Sequence, residues 1–374
     1  MSRDGTVTGI AVHRLRATAK SVWIMAEVST ADGLVGTGEA SLHFSEAEVC
    51  EALARLGHLL EGQTVRASIE CLRSLQDRDL PRIAARCALD QALHDIQAQR
   101  HGLPIARLLR AEPARDIAVY ANINRRTRDR SPAGFAASAQ GAVDAGFEAI
   151  KIAPFDGVTP ALSPAEAQPL LEAAFARIAS VRAEIGPDRR LLVDCHWRLS
   201  AELLDPVVDT CAELDVYWIE TPFIEDPEHV GAIREATERA HARGMRTAGG
   251  ELKTAGPEFD LLISRRCYDV LMPDMKYVGG YSAFVAVSEA AAAHDILISP
   301  HNPTGPVCHA HSVQASAVVG NLLMLEMQFD ETPLFTQLVV GELPLPDRGR
   351  VATPSAPGLG VRLDADRLAS LAAA

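Results

Sequence analysis

From Ile117 onward the chain alternates between short aliphatic segments and longer segments with helical periodicity. The predicted strands lie at 117–121, 148–153, 190–194, 215–220, 246–250, 268–273, 296–300 and 322–327. The predicted helices between them lie near 132–145, 164–185, 199–213, 227–242, 256–265, 281–294 and 307–318. Eight strands with a helix between each pair predict an α/β protein with a closed parallel barrel. No ordinary helix follows the eighth strand, so the pattern is that of a modified (β/α)8 barrel of the form (βα)7β.

The residues before the barrel have a different pattern. Strands are predicted at 7–15, 22–29 and 34–38, and helices at 45–60, 67–76 and 81–99. Ser45 is expected to cap the first of these helices. After the barrel, a segment rich in proline and glycine is expected to return to the N-terminal unit. We therefore predict an α+β capping domain at 1–115, a catalytic barrel at 116–330 and a C-terminal segment at 331–374 that completes the capping domain.

The overall charge restricts the classes of partner. A formal net charge of −13 at pH 7 argues against nucleic acid and anionic membrane. There is no signal-peptide pattern at the N-terminus and no run of about 18 apolar residues that could span a bilayer. The seven cysteines are odd in number and widely spaced, which is typical of reduced thiols. These features predict a cytoplasmic protein that acts on a small molecule.

Ionisable residues stand where the predicted barrel strands end. In a parallel barrel the carboxyl ends of the strands surround a single mouth, and functional residues lie there. Asp194 and His196 are two positions apart, so an extended strand would direct both side chains to the same face. Folding does not require ionisable residues at so many strand ends. Their presence therefore predicts an active site at the mouth. Its candidate residues, in chain order, are Lys151, Asp194, His196, Glu220, Glu251, Asp274, His301 and Glu326.

Three of these residues are carboxylates at the ends of successive strands. Asp194, Glu220 and Glu251 would repel one another strongly unless a cation lay among them. Oxygen ligands that leave positions open for water and substrate suit Mg²⁺. The sequence therefore predicts a magnesium site formed by these three residues.

Several motifs together resemble the enolase superfamily, in particular its mandelate racemase branch, over essentially the whole chain. Asp194-x-His196 and the segment 300–306 are most similar to those of galactonate-type acid-sugar dehydratases. The motifs that carry the resemblance are Gly38-Glu39-Ala40, the helix segment 88–96, Met272-Pro273-Asp274 with Gly279-Gly280, Ser299-Pro300-His301, Leu325-Glu326-Met327 and Pro357-Gly358-Leu359-Gly360.

The resemblance implies roles for individual residues. It assigns Mg²⁺ ligation to Asp194, Glu220 and Glu251, an Asp–His dyad to Asp274 and His301, and an electrophilic role to Glu326. It also implies a small carboxylate substrate and a symmetric homo-oligomer. One departure matters for mechanism: Ala153 stands where racemases and cycloisomerases of the family place a proton-abstracting lysine.

The chemistry expected at this mouth is removal of a proton next to a carboxylate. His301 is predicted to be the base, oriented by Asp274, and Lys151 is predicted to stabilise the negative charge that develops on the substrate. Glu326, if protonated, could donate a hydrogen bond to a substrate oxygen. His196 is predicted to protonate a departing β-hydroxyl group.

These roles favour a Mg²⁺-dependent acid-sugar dehydratase, a carbon–oxygen lyase that forms a 2-keto-3-deoxy acid. Two alternatives stay open on the sequence. One is a racemase or epimerase of a 2-hydroxy acid, against which Ala153 counts. The other is a catalytically silent binding protein on the same fold, against which the retained acids, bases and Lys151 count.

Overall fold

The computed structural model describes residues 5–372. Its N-terminal unit contains an antiparallel sheet in which β2 pairs with both β1 and β3. Helices pack on one face of this sheet. The elements of this unit are β1 (Val7–Arg16), β2 (Val22–Thr30), β3 (Val35–Glu39), α1 (Glu46–Leu60), α2 (Val65–Ser74), α3 (Leu80–His101) and α4 (Ile105–Leu109).

Glycines allow β3 to lie directly against α3. A Cβ atom at Gly36 would overlap the carbonyl oxygen of Ala92, and a Cβ atom at Gly38 would overlap that of Ala88. Only glycine permits this approach of two backbones. The approach fixes the position of Glu39, the residue that follows Gly38 and ends the strand.

The barrel follows the predicted alternation. Each strand from β4 to β10 is parallel to the next, and β4 is also parallel to β11. A bridge between Ile298 and Leu322 joins β10 to the segment before β11 and closes the barrel. The strands are β4 (Asp116–Asn122), β5 (Ala149–Ile152), β6 (Arg190–Asp194), β7 (Val216–Glu220), β8 (Arg246–Gly249), β9 (Val270–Leu271), β10 (Leu297–Ile298) and β11 (Leu325–Gln328).

A helix connects each barrel strand to the next. These helices are α5 (Pro132–Asp144), α6 (Pro164–Ile185), α7 (Ala201–Glu213), α8 (Val230–Ala242), α9 (Pro257–Ser264), α10 (Tyr281–Ala292) and α11 (Pro306–Ser316). This arrangement confirms the predicted (βα)7β barrel with an N-terminal α+β unit. Over residues 5–372, no helix combines the length and hydropathy needed to cross a membrane.

The C-terminal tail contacts both parts of the molecule. Leu359 donates its backbone N–H to Asp95 of α3 (2.8 Å), so the tail reaches the N-terminal unit as expected. The strand β14 also pairs antiparallel with β4 at the start of the barrel, which the sequence pattern did not indicate. The tail elements are α12 (Leu334–Gln337), β12 (Val339–Gly341), β13 (Pro346–Asp347), β14 (Arg350–Ala352), β15 (Val361–Leu363) and α13 (Ala365–Ala372).

Two barrel strands are shorter than predicted. β9 and β10 each contain two residues, and prolines follow soon after them at Pro273 and Pro300. Proline has no backbone N–H to donate to a neighbouring strand, so pairing ends before it. The residues beyond each strand, including Asp274 and His301, therefore lie in loops over the mouth rather than within the sheet.

The helix starts in the N-terminal unit also differ from the prediction. Ser45 occupies the N-cap position of α1 as predicted, but its side chain makes no capping hydrogen bond. The helix α2 begins at Val65 rather than near 67, because the Thr64 side chain accepts a hydrogen bond from the Ala67 N–H. The short helix α4 after Pro104 was not predicted. Its five residues are too few to give a periodic pattern.

Candidate active site

Three carboxylates converge at the ends of β6, β7 and β8. Asp194 and Glu220 are paired in register at the ends of adjacent parallel strands. Gly250 adopts a left-handed backbone (φ 92°) after β8 and leads into Glu251. All three side chains are buried, and one ligand oxygen of each lies within 4.8 Å of the other two. The structure thus brings together the three residues predicted to bind metal.

The electrostatics of this cluster fit a bound cation. Burial, reinforced by the charge of Asp194 and by the other acids nearby, raises the pKa of Glu220 and of Glu251 well above the usual 4.5. The Oε2 atom of Glu251 is buried and has no hydrogen-bond partner among the described residues. A buried carboxylate oxygen without a partner is costly, and a cation would satisfy it. The donor set, carboxylate oxygens only, is one that Mg²⁺ prefers.

Lys151 lies beside the same carboxylates. Its Nζ atom is 2.5 Å from Glu220 Oε1, 2.8 Å from Glu326 Oε1 and 3.9 Å from Asp194 Oδ2. Burial alone would lower the pKa of Lys151, but Glu220 and Glu326 outweigh burial and raise it well above 10.5. The ammonium group is therefore charged, and it lines the central cavity described below.

Glu326, the second residue of β11, is surrounded by donors. Its carboxylate accepts hydrogen bonds from Asn122 Nδ2 (2.6 Å) and from the backbone N–H of Asn302 (2.9 Å), in addition to its contact with Lys151. Burial would raise its pKa, but Lys151 and His301 reverse the shift and lower it. This environment favours the ionised carboxylate, because every partner is a donor. The expectation that Glu326 acts as a protonated donor does not match it.

Asp274 and His301 form a hydrogen-bonded pair. His301 Nδ1 lies 2.7 Å from Asp274 Oδ2, and Lys276 Nζ lies 2.8 Å from the same oxygen. Burial would raise the pKa of Asp274, but the charge of Lys276 and the bond to His301 lower it below 3.8. Burial lowers the pKa of His301 below 6.5 despite the bond to Asp274. The imidazole is thus held by one nitrogen and kept neutral, with Nε2 available on the side of Glu251, 3.7 Å from its Oε2.

His196 reaches the site by a different route from the predicted one. The strand β6 ends at Asp194, and His196 and Trp197 then adopt left-handed backbone conformations (φ 48° and 56°). This conformation is strained for residues other than glycine. It is held by hydrogen bonds from His196 N to Asp194 Oδ1 (2.9 Å) and from Trp197 N to Thr221 O (2.7 Å). The turn brings His196 Nε2 to 2.8 Å from Asp194 Oδ2.

A cavity of about 480 Å³ lies over these residues; we call it the central cavity. Lys151, Asp194, His196, Glu251 and His301 line its barrel side. Residues 21–23 and 41–44 of the N-terminal unit line the opposite side. Both parts of the molecule therefore enclose the site.

The loop before β2 is tied to the barrel. Glu331 accepts hydrogen bonds from Thr18 (3.1 Å) and Ser21, and its other oxygen lies 3.2 Å from Arg125 Nη1. Arg125 and Asn124 line the central cavity. Asn122 lines it too, although it is largely buried and donates to Glu326.

Glu39 has a structural importance that sequence reasoning missed. It is fully buried and accepts hydrogen bonds from Thr304 Oγ1 (2.7 Å), Gly305 N (2.8 Å) and Cys308 N (2.9 Å). The last two are backbone donors at the start of α11, the helix that follows the His301 loop. The carboxylate thereby anchors the N-terminal unit to the loop that carries His301. An acid at the end of an apolar strand was the available signal.

Comparison with known proteins gives matches over nearly the whole chain. Residues 134–367 match the family described as enolase C-terminal domain-like, and residues 8–110 match the N-terminal domain of mandelate racemase/muconate lactonizing enzyme. A D-gluconate dehydratase of Thermoproteus tenax is 29% identical over 91% of this chain and 68% of the relative. A D-galactonate dehydratase of Verminephrobacter eiseniae is 26% identical over 91% of this chain and 89% of the relative.

Among solved structures, a mandelate racemase/muconate lactonizing enzyme from Jannaschia sp. CCS1 superimposes with a TM-score of 0.85. It is 23% identical, and the match covers 98% of this chain and 97% of the other. At this identity the match supports the fold only.

Proposed function

Because this chain belongs to the mandelate racemase/muconate lactonizing enzyme family of enolase-like proteins, we propose that it is a Mg²⁺-dependent dehydratase of a sugar acid. Its named relatives are dehydratases, so the chain is an enzyme of the carbon–oxygen lyase class. The observation that carries the choice of dehydration is the pair of histidines at the mouth. His301 follows β10 and His196 follows β6, which lie opposite each other in the strand order.

Asp194, Glu220 and Glu251 are the residues that would hold Mg²⁺. When bound, the cation supplies charge stabilisation to a substrate carboxylate whose α-proton is being removed. Lys151 contributes a second, fixed positive charge beside the same carboxylates. This preorganised charge matters because a proton next to a carboxylate is otherwise very weakly acidic.

The two histidines divide the proton transfers. The C2–H bond breaks and its proton passes to Nε2 of His301, whose Nδ1 is held by Asp274. The C3–O bond then breaks, and His196 gives a proton to the departing hydroxyl so that it leaves as water. The resulting enol becomes a 2-keto-3-deoxy acid when C3 gains a proton. The atoms balance, because the substrate is converted into one molecule of the 2-keto-3-deoxy acid and one molecule of water.

Ala153 favours this reaction over racemisation. It follows β5 and lies near the mouth, but it has no group that can accept a proton. A racemase needs a base on each face of the α-carbon, and we propose that the second histidine serves as an acid instead. We also propose a cytoplasmic location and a homo-oligomer. Light scattering of the purified protein would measure its molar mass and so test the oligomer.

The test is a screen of aldonic and aldaric acids for 2-keto acid formation with Mg²⁺ present. Mass spectrometry should detect products lighter than their substrates by one water. The same samples should be run in deuterium oxide to detect α-proton exchange and inversion at C2. Inversion without loss of water would replace the proposal with a racemase, and tight binding with neither reaction would replace it with a binding protein.

A further inference from the structure

A second cavity of about 320 Å³ opens beside the central one; we call it the side cavity. Four residues line both cavities, so the two are neighbours with a shared wall. They are Asn124, Arg125, Asp194 and His196. Since His196 belongs to this wall, a substrate whose C3 hydroxyl faces His196 has a direct route for the rest of its carbon chain into the side cavity.

The side cavity is rich in positive charge although the chain carries a net charge of −13. Its cations come from three separate segments: the loop before β2, the loops after β4 and the loop after β6. They are Lys20, Arg125, Arg130 and Arg198. The acids that line it are Asp156 and the predicted metal ligand Asp194.

Two of these cations already have an acidic partner. Arg130 binds Asp156 through two hydrogen bonds (2.7 and 2.9 Å), and Arg125 is paired with Glu331 (3.2 Å). These pairs hold the walls in place. They leave little of the charge of Arg130 or Arg125 uncompensated.

The other two cations have none. Within residues 5–372, neither Lys20 nor Arg198 has a carboxylate within ion-pair distance. Arg198 donates from Nη1 to the carbonyl oxygens of Phe155 (3.0 Å) and Val158 (3.4 Å), which orients the guanidinium. Its remaining N–H groups have no acceptor among the described residues. The charge of Arg198 contributes to the lowered pKa of Asp156, but that carboxylate is already bonded to Arg130 and lies 3.4 Å from Arg177. A half-buried arginine that is oriented by carbonyls and has no carboxylate within ion-pair distance is arranged to receive an anion.

The size of Ala153 leaves this space open. It lines the side cavity at the end of β5, and a longer side chain there would fill part of it. By contrast, the N-terminal unit lines the central cavity with Val22, Trp23, Leu42 and Phe44 and with the polar Ser21, Ser41 and His43, but with no lysine or arginine. A second negative charge on the substrate is therefore better accommodated on the side of Arg198.

We infer that the side cavity binds a carboxylate at the far end of the substrate, so that the preferred substrate is an aldaric acid rather than an aldonic acid. This inference rests on the proposed function, in which the first carboxylate lies at Asp194, Glu220 and Glu251. Arg198 makes a charge-assisted contact with the second carboxylate, and Lys20 adds a more exposed positive charge. His196 lies between the sites of the two substrate carboxylates and faces the C3 hydroxyl.

The experiment compares matched pairs of sugar acids that share every stereocentre and differ only in a terminal carboxylate or hydroxymethyl group. The aldarate should have the higher kcat/KM in its pair by about tenfold, the value of one charge-assisted hydrogen bond. Arg198→Gln should lower this preference by about tenfold, mainly through KM. Lys20→Gln should lower it by about threefold, since Lys20 is exposed and its contact is screened.

A conservative variant separates binding from loop structure. Arg198→Lys keeps the charge but cannot reproduce the bonds to Phe155 and Val158, so it should retain most of the preference. Arg265→Gln, which removes an exposed arginine after α9, is the control and should leave the preference unchanged. If Arg198→Lys and Arg198→Gln lost the preference for the aldarate equally, the inference would be overturned. Arg198 would then act by holding the loop at Phe155 and Val158 rather than by its charge.

Other outcomes distinguish the inference from the function on which it rests. Dehydration of aldonates with no preference for aldarates would overturn the inference and leave the proposed function standing. A preference for a 6-phosphorylated aldonate over the aldarate would overturn the assignment of a carboxylate. If no acid is dehydrated, the proposed function fails. Calorimetry with an aldarate and its matched aldonate, in wild type and Arg198→Gln, then decides whether the side cavity binds the second carboxylate.

Discussion

The two histidines at the mouth are held in opposite ways. His301 is nearly buried, with 14% of its side chain exposed, and Asp274 fixes it through Nδ1. His196 is 40% exposed, belongs to a strained turn, and contacts Asp194, which is itself a predicted metal ligand. One imidazole is thus fixed by a dedicated partner, and the other by a residue that has a second task. The difference suits a base that must be neutral before substrate arrives and an acid that acts on a group arriving from the solvent side.

The two histidines also differ in which groups hold them in place. His301 should keep its geometry whether or not a metal is bound, because Asp274 and Lys276 are not metal ligands. His196 should respond to the metal, because the same Asp194 carboxylate serves both.

The largest effect is expected from Glu251→Gln or from removal of divalent metal, which should disable both histidines. Without charge stabilisation of the substrate carboxylate, α-proton exchange and dehydration should both fall by about 10⁴-fold or more. Exchange in deuterium oxide and 2-keto acid formation are the two measurements. Glu289→Gln, an exposed residue of α10, is the control. Exchange that survives in Glu251→Gln would contradict a role for Glu251 in holding the metal.

The next effect is expected from His301→Asn. This change should lower both α-proton exchange and dehydration by about 10³–10⁴-fold, because the base acts before any bond to oxygen breaks. The same two assays apply, with His58→Asn on the surface of α1 as the control. Normal exchange in His301→Asn combined with loss of exchange in His196→Asn would mean that the two roles are reversed.

A smaller and selective effect is expected from His196→Asn. Dehydration should fall by about 10²–10³-fold, since hydroxide is a poor leaving group without an acid. Exchange of the α-proton should be retained within about tenfold, because His301 and Asp274 are unchanged. The ratio of exchange to dehydration is the diagnostic quantity. A parallel fall in both rates would show that His196 is needed for binding or metal geometry rather than as an acid.

The smallest effect concerns the pH dependence of exchange. Burial lowers the pKa of His301 below 6.5, so exchange should fall only as the pH drops below that value and protonates the base. The hydrogen bond from His301 to Asp274 raises this pKa, so Asp274→Asn should move the acid limb to lower pH. The charge of Lys276 lowers it, so Lys276→Met should move the limb to higher pH. Shifts of the same sign in both variants would contradict this account, and thermal melting would check that each variant is folded.

The sequence predicted those parts of the site that depend on strand ends. The positions of Asp194, Glu220 and Glu251 follow from the barrel alternation alone, since parallel strands end at one mouth. Lys151 was also placed correctly at the mouth. Its partners were not predicted, because Glu326 lies in β11, which meets β4 only when the barrel closes.

Other features depended on loop geometry, which leaves little periodic signal. His196 was expected on an extended strand, but a left-handed turn brings it to Asp194. The environment of Glu326 depends on donors from two distant segments, at Asn122 and Asn302. The side cavity combines residues from four separate segments, at 20, 124–130, 153–156 and 194–198, so no local pattern could indicate it.

The anchor at Glu39 has a consequence for how the chain is made. Its partner Thr304 is 265 residues further along the chain. At about 5–20 residues per second, a ribosome synthesises Thr304 roughly 13–53 s after Glu39. During that interval the carboxylate of Glu39 has none of its partners at the start of α11. The contact between the two parts of the molecule therefore forms late in translation. A nascent chain released before Pro306 would leave the Glu39 carboxylate without its partners at the start of α11.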